Sequence, residues 1–87
     1  MPVRIYNPTY DFLTIQTGYD NLVGGLTLLV QAQTFTENLL LNRGGANTII
    51  GGYNCDYSSN NGFSTIKGNI TVAGAGTLIA IEKIIIQ

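Results

Sequence analysis

With 87 residues, four basic side chains against five carboxylates, no histidine and one cysteine, the chain lacks the ingredients of several function classes. There is no basic footprint for nucleic acid, no Cys/His set for a metal cluster, and no pair of cysteines for an internal disulfide. A chain this short buries only about 60–65% of the surface that its unfolded form exposes. Its longest apolar runs, Leu26–Val30 and Ile84–Ile86, fall far below the ~18 residues of a membrane-spanning helix.

With 10% of residues charged, the polar surface must come from Thr, Asn, Gln, Ser and Tyr, a mix usual in secreted or cell-surface β proteins. An extracellular or cell-surface setting is expected, although no charged-then-apolar leader opens the chain, so Met1 would stand where one was removed or replaced. Cys55 is expected as a small buried or half-buried corner residue, with an intermolecular disulfide as the lesser alternative.

In chain order, Pro2 and Pro8 push their neighbours towards extended backbone, so Val3–Tyr6 is at most a short edge strand. Phe12–Leu22 carries apolar residues at partly helical spacing, with Thr14 as N-cap and Gly24-Gly25 as the stop, which predicts one short helix. Leu26–Gln31, Phe35–Leu41 and Asn47–Ile50 are too short and too alternating for helices and read as strands, the last two joined by the corner Asn42–Ala46. Asn54–Gly62 is a turn-rich loop, the least constrained part of the chain and tolerant of shortening. Beyond it Ser64–Gly68, Asn69–Val72 and Thr77–Ile81 repeat the rhythm.

Leu26–Gln31, Glu37–Asn42 and Thr48–Ile50 thus answer to Ser64–Lys67, Asn69–Val72 and Thr77–Ile81, a degenerate internal repeat. Short strands with glycine or asparagine corners suit a parallel β-helix of about two coils, stacked about 4.8 Å apart around inward Leu, Ile and Val. Alternation predicts Leu39, Leu41, Ile50, Ile66, Ile70 and Ile79 as the inward column. Ile84–Gln87 looks like the first strand of a third coil that never closes.

Several segments carry a resemblance: Thr14-Ile15-Gln16, Gly18-Tyr19-Asp20, Leu28–Ala32, Thr34–Leu39 and Ile49–Tyr53. Together they resemble the opening unit of right-handed parallel β-helix (pectin-lyase-like) repeat proteins of bacterial envelopes and secretions. The likeness covers roughly Thr14–Gln87 and is best over Gln31–Tyr53. It implies that the Thr14–Leu22 helix caps the amino end of the coil. Gly24-Gly25 departs from the family's Gly-Asp, Gln33 stands where the family places glycine, and relatives continue for many more coils.

Chemistry is thin by comparison. Enzymes of this fold cluster carboxylates or a basic residue on one long sheet, whereas Asp20 is expected to bond backbone or solvent beside the helix that it flanks with Asp11. Glu37 is expected to pair with Arg43 or Lys67 at the surface, and Glu82-Lys83 to lie solvated. Gly51-Gly52 and Gly74-Ala75-Gly76 read as corners, since no P-loop or dinucleotide pattern follows. No catalytic residue, cofactor or metal ligand is assigned, and the chain is expected not to be an enzyme. Asn38, Asn42, Asn47 and Asn69 suit stacked amide ladders. Tyr53, Tyr57 and Phe63 bracket the loop, where they either pack it onto its own coil or offer rings to a sugar or a neighbouring subunit.

The expected function is a non-catalytic structural or interaction module that self-associates, as dimer or filament. The interface would be the β-branched end of the chain: Leu78, Ile79, Ile81, Ile84, Ile85 and Ile86. The alternatives are a carbohydrate-binding or adhesive module built on the Tyr53–Phe63 loop, and a degenerate polysaccharide-active enzyme.

Overall fold

The computed structural model describes residues 1–5, 9–22, 27–42, 46–72 and 78–87. The fold is all-β, with parallel and mixed sheets and one short helix. Its elements in chain order are β1 (Val3–Ile5), β2 (Tyr10–Phe12), α1 (Ile15–Asp20), β3 (Thr27–Gln31), β4 (Thr34–Thr36) and β5 (Leu39–Leu41). They continue with β6 (Ala46–Tyr53), β7 (Ser64–Lys67), β8 (Ile70–Val72), β9 (Leu78–Glu82) and β10 (Ile84–Ile86). The first sheet has the order β2-β1-β3-β6-β9, the second β4-β7-β10, and the third β5-β8. From β3 onward the chain visits the first, second and third sheets in turn and then starts again, and every pairing among these strands is parallel.

Because side chains alternate along a strand, in-register parallel pairing stacks like positions into columns. Leu28 pairs with Ile49 and Ile49 with Ile81. Phe35 pairs with Ile66 and Ile66 with Ile86. Leu39 pairs with Ile70, and Leu41 with Val72. The lower members of these columns form the buried core together with Val3, Ile5, Ile15, Tyr19 and Leu22.

Two of the six expected inward residues need correction or lie out of view. Leu39, Leu41 and Ile66 are buried and Ile70 is partly so, but the buried isoleucine of β6 is Ile49, while Ile50 faces outward. Adjacent isoleucines give no parity by themselves; the pairing of Leu28 with Ile49 sets it. The side chain of Ile79 lies outside the described residues, as do the corners at Gly24-Gly25, Arg43–Gly45 and Gly74–Gly76.

The amino-terminal segment closes one end of the columns. β1 is an inner strand rather than an edge, antiparallel to both β2 and β3. Phe12, expected in the helix, ends β2, and α1 begins at Ile15 with Thr14 as its N-cap, the Thr14 hydroxyl accepting from the Thr17 N–H at 3.1 Å. Ile15 and Tyr19 then point into the core. Gly18 lets the helix sit close, since a Cβ there would lie 2.7 Å from Leu28 Cδ1 and 2.8 Å from Val3 Cγ1.

Two long-range contacts tie this helix down, and neither was foreseen. Glu37 accepts from the Ile15 and Gln16 N–H groups, both at 3.0 Å, so its carboxylate covers the helix start instead of pairing with Lys67; Arg43 lies outside the described residues. Gln16 holds the edge of β5: its amide oxygen accepts from the Leu40 N–H at 2.7 Å and its amide nitrogen donates to the Leu40 carbonyl at 3.0 Å. That is the pair of bonds a neighbouring strand would make.

Other boundaries shift as well. The expected strand Phe35–Leu41 is two strands on two sheets, broken at Glu37-Asn38, and this changes the phase of the repeat. Asn69–Val72 does match Leu39–Leu41, and Thr77–Ile81 overlaps the match to β6, but Ser64–Lys67 pairs with β4 rather than with the Leu26–Gln31 strand. Gly51-Gly52 is no corner: both lie within β6, at a register shift against β3, with Gly52 at φ +81° where a Cβ would collide with the Gly62 carbonyl. Asn38 and Asn69 meet, but not as an amide ladder: the Asn38 side-chain oxygen accepts from the Asn69 backbone N–H at 2.9 Å.

Candidate functional site

Two features stand out, a cleft on the outer face of the first sheet and the end of the columns opposite the helix. The cleft grows from one cross-strand row. Register places Asp11, Arg4, Leu29 and Ile50 side by side on β2, β1, β3 and β6. Asp11 and Arg4 are therefore direct cross-strand neighbours, and they form the one ion pair among the described residues, Nε to Oδ1 at 2.7 Å and Nη2 to Oδ2 at 3.2 Å. Hydrogen bonding to Arg4 holds the Asp11 carboxyl below its ordinary range, and the same bond raises Arg4.

Over this row folds the loop after β6. Asn54 organises it: its side-chain oxygen accepts from the Ser58 and Ser59 N–H groups at 2.9 and 3.3 Å, and its amide nitrogen reaches both serine hydroxyls. The loop expected to be the least constrained part of the chain thus carries its own network of side-chain bonds. Tyr57 sits at φ +59°, a left-handed conformation uncommon for an aromatic residue. Its hydroxyl donates to the Met1 carbonyl at 2.6 Å, the Arg4 guanidinium lies 4.4 Å above its ring, and the Tyr53 ring centroid is 6.0 Å away. Burial is the main reason that the Tyr57 phenol is pushed up to about 12, with Asp11 adding to it.

The result is a half-open cleft of about 470 Å³ lined by Arg4, Thr27, Leu29, Ile50, Tyr53, Asp56 and Tyr57. Its floor is aliphatic, its wall aromatic, and its rim carries both donors and acceptors. Bonds from the Ser58 hydroxyl and then its N–H keep Asp56 below the ordinary carboxyl range. Such a surface suits a neutral ring with one apolar face and polar edges. Tyr53 and Tyr57 are brought together here, while Phe63 is exposed elsewhere, with Lys83 Nζ 5.8 Å from its ring. Cys55 is exposed rather than buried, and Gln31 bonds its carbonyl at 3.0 Å.

At the other feature each column loses its cover. Leu28, Ile49, Phe35, Ile66, Leu39 and Leu41 are all buried, yet Ile81 is 41% exposed, Ile86 49% and Val72 59%. Ile84 and Ile70 are half-buried beside them. Of the six expected interface residues, Ile81, Ile84 and Ile86 meet on this surface and Ile85 faces outward; the side chains of Leu78 and Ile79 lie outside the described residues. Ile70 and Val72 were missed, although their stacking on Leu39 and Leu41 follows once the pairing is known.

Among the described residues no three of His, Cys, Asp and Glu come together as a metal site, and no helix is long and apolar enough to cross a membrane. No family model, curated protein or solved structure matches the chain.

Proposed function

We propose that this chain is a short parallel β-helix acting as a non-catalytic interaction module, which self-associates through the end of its columns away from α1. The observation that carries this reading is the rise in exposure at Ile81, Ile86 and Val72, each stacked on a residue that is buried. Cyclic visiting of three sheets by parallel strands supports the coil. Edge strands in monomers are blunted by charge, proline or bulges, and β8 and β10 carry none of these, being Ile-Thr-Val and Ile-Ile-Ile. The low-charge surface supports an extracellular or cell-surface setting as part of the same proposal.

Sedimentation velocity tests it. The expected outcome is a stable oligomer at high micromolar concentration that Ile86→Glu, or Ile84→Lys with Ile86→Glu, returns to monomer with its circular dichroism unchanged. A monomer in the unmodified protein overturns the reading.

A second reading rests on the cleft. Aliphatic floor, tyrosine wall and a rim of Arg4, Thr27 and Asp56 favour a saccharide ring. Glycan binding lost on Tyr57→Ala or Tyr53→Ala is the outcome that supports it, and saturation without binding across a broad glycan panel removes it.

A further inference from the structure

We infer that the partner at the uncovered end is a second copy of this chain, related by a two-fold axis through the first sheet, so that each copy's β10 seats on the other's β8. The inference rests on the coil reading above and specifies its partner.

The three sheets do not end level. Among the described residues, the first and second each hold three strands of the coil, and the third holds two. In a coil the chain rises one strand spacing per round, about 4.8 Å, and so roughly 1.6 Å per face. β9 is then the reference height; β10, one face later, stands roughly 1.6 Å above it, and β8, one face earlier, roughly 1.6 Å below. The end is a staircase, high on the second sheet and low on the third.

A two-fold axis perpendicular to the stack and passing through the first sheet maps that sheet onto its counterpart and exchanges the second and third. High then meets low on both sides, and the gap between copies is equal on all three faces. β9 lies antiparallel to the partner's β9, and β10 pairs with the partner's β8. Axes through either other sheet set high against high or low against low. Head-to-tail stacking would set the uncovered end against the other copy's amino end. There the Leu40 backbone is already held by Gln16 and the first sheet is continued by β1 and β2.

The side chains agree with the step. With β10 antiparallel to β8, Ile84 and Ile86 oppose Val72 and Ile70 of the other copy, so the exposed members of the second and third columns cover one another. Ile85 faces Thr71, a β-branched pair on the outer face. β9 is five residues long, and its midpoint, the exposed Ala80, falls on the axis. Glu82 and Lys83 lie at the rim, where charge stays hydrated.

Cysteine crosslinking in a Cys55→Ser background tests this geometry. Opposed residues in an antiparallel pair have Cα atoms about 4.5–5.5 Å apart, within disulfide range. Ala80→Cys is expected to give mostly covalent dimer on mild oxidation, and Thr71→Cys with Ile85→Cys a doubly linked dimer, while Leu13→Cys at the capped end stays monomeric on a denaturing gel. If the protein sediments as a dimer and neither substitution crosslinks, the two-fold arrangement is overturned while self-association stands. A monomer overturns the reading beneath it, and a ladder of higher species indicates head-to-tail stacking and overturns the two-fold.

Discussion

The two ends of the column stack are made of the same kind of apolar residue and have opposite fates. At the amino end Leu28, Phe35, Leu39 and Leu41 are buried, with α1 and β1 contributing Ile15, Tyr19, Leu22, Val3 and Ile5 to the same core, while Gln16 and Glu37 fix the helix to the β4–β5 segment. At the other end Ile81, Ile86 and Val72 continue the same columns half in solvent. The difference lies in the cover and not in the columns. A hydrophobic position in a stacked fold is therefore core or surface according to what lies above it.

The sharpest way to break the comparison is to make one truncation at each end of a single column. Leu41→Ala removes a fully buried side chain and is expected to cost ~2–5 kcal/mol in urea unfolding, a large share of the stability of so small a chain. Val72→Ala, one strand further on, should cost less than about 1 kcal/mol in dilute protein. Equal losses would mean that the far end is as well covered as the near one.

Next in size is the fit of the cap. Gly18→Ala forces a methyl against Leu28 and Val3, both buried, and should destabilise by about 1–3 kcal/mol, seen as a lower urea midpoint with little change in slope. Gln16→Ala is milder for stability, about 0.5–1.5 kcal/mol, because the Leu40 backbone can turn to water. Its larger consequence is a freed β5 edge at the amino end, and on the self-association proposed above the dimer is expected to give way to longer assemblies in light scattering.

The smallest effects belong to the latch between β1 and the loop. Asp11 titrates below its unfolded value, so its pairing with Arg4 supports the fold at pH above about 4 and is lost as pH falls below that. Tyr57 is shifted the other way. Its contribution is complete below about pH 10 and disappears as pH rises towards 12. Difference absorbance between the native chain and Tyr57→Phe should show a phenol ionising near 12, and one ionising near 10 would mean that the loop is open.

Local signals in the sequence carried much of this. Thr14 ahead of a partly helical apolar spacing reads as a helix cap, and Leu39, Leu41 and Ile66 show the alternation that puts them inside. What escaped depends on distance along the chain. Glu37 meets Ile15 across 22 residues and Gln16 meets Leu40 across 24, and no periodicity encodes such contacts. β1 looked like an edge because Pro2 and Pro8 flank it, whereas two antiparallel partners place it inside the sheet. In the cleft the tyrosines were visible but their neighbours were not, since Arg4, Leu29 and Ile50 become adjacent only through register.

Ser64 shows what such register does for cooperativity. Its buried hydroxyl donates to the Gln31 carbonyl at 2.6 Å and accepts from the Gly52 N–H at 2.9 Å, while its own N–H donates to the Lys83 carbonyl at 3.0 Å. One residue thus joins Gln31 of β3, Gly52 of β6 and Lys83 at the bend that follows β9. Stacked architectures tend to fray layer by layer from an end, and here loss of the outermost layer strips the Ser64 N–H of its Lys83 partner, next to the hydroxyl that ties β3 and β6. Hydrogen–deuterium exchange should find the Gly52 and Ser64 amides opening together, in a single event that involves most of the molecule.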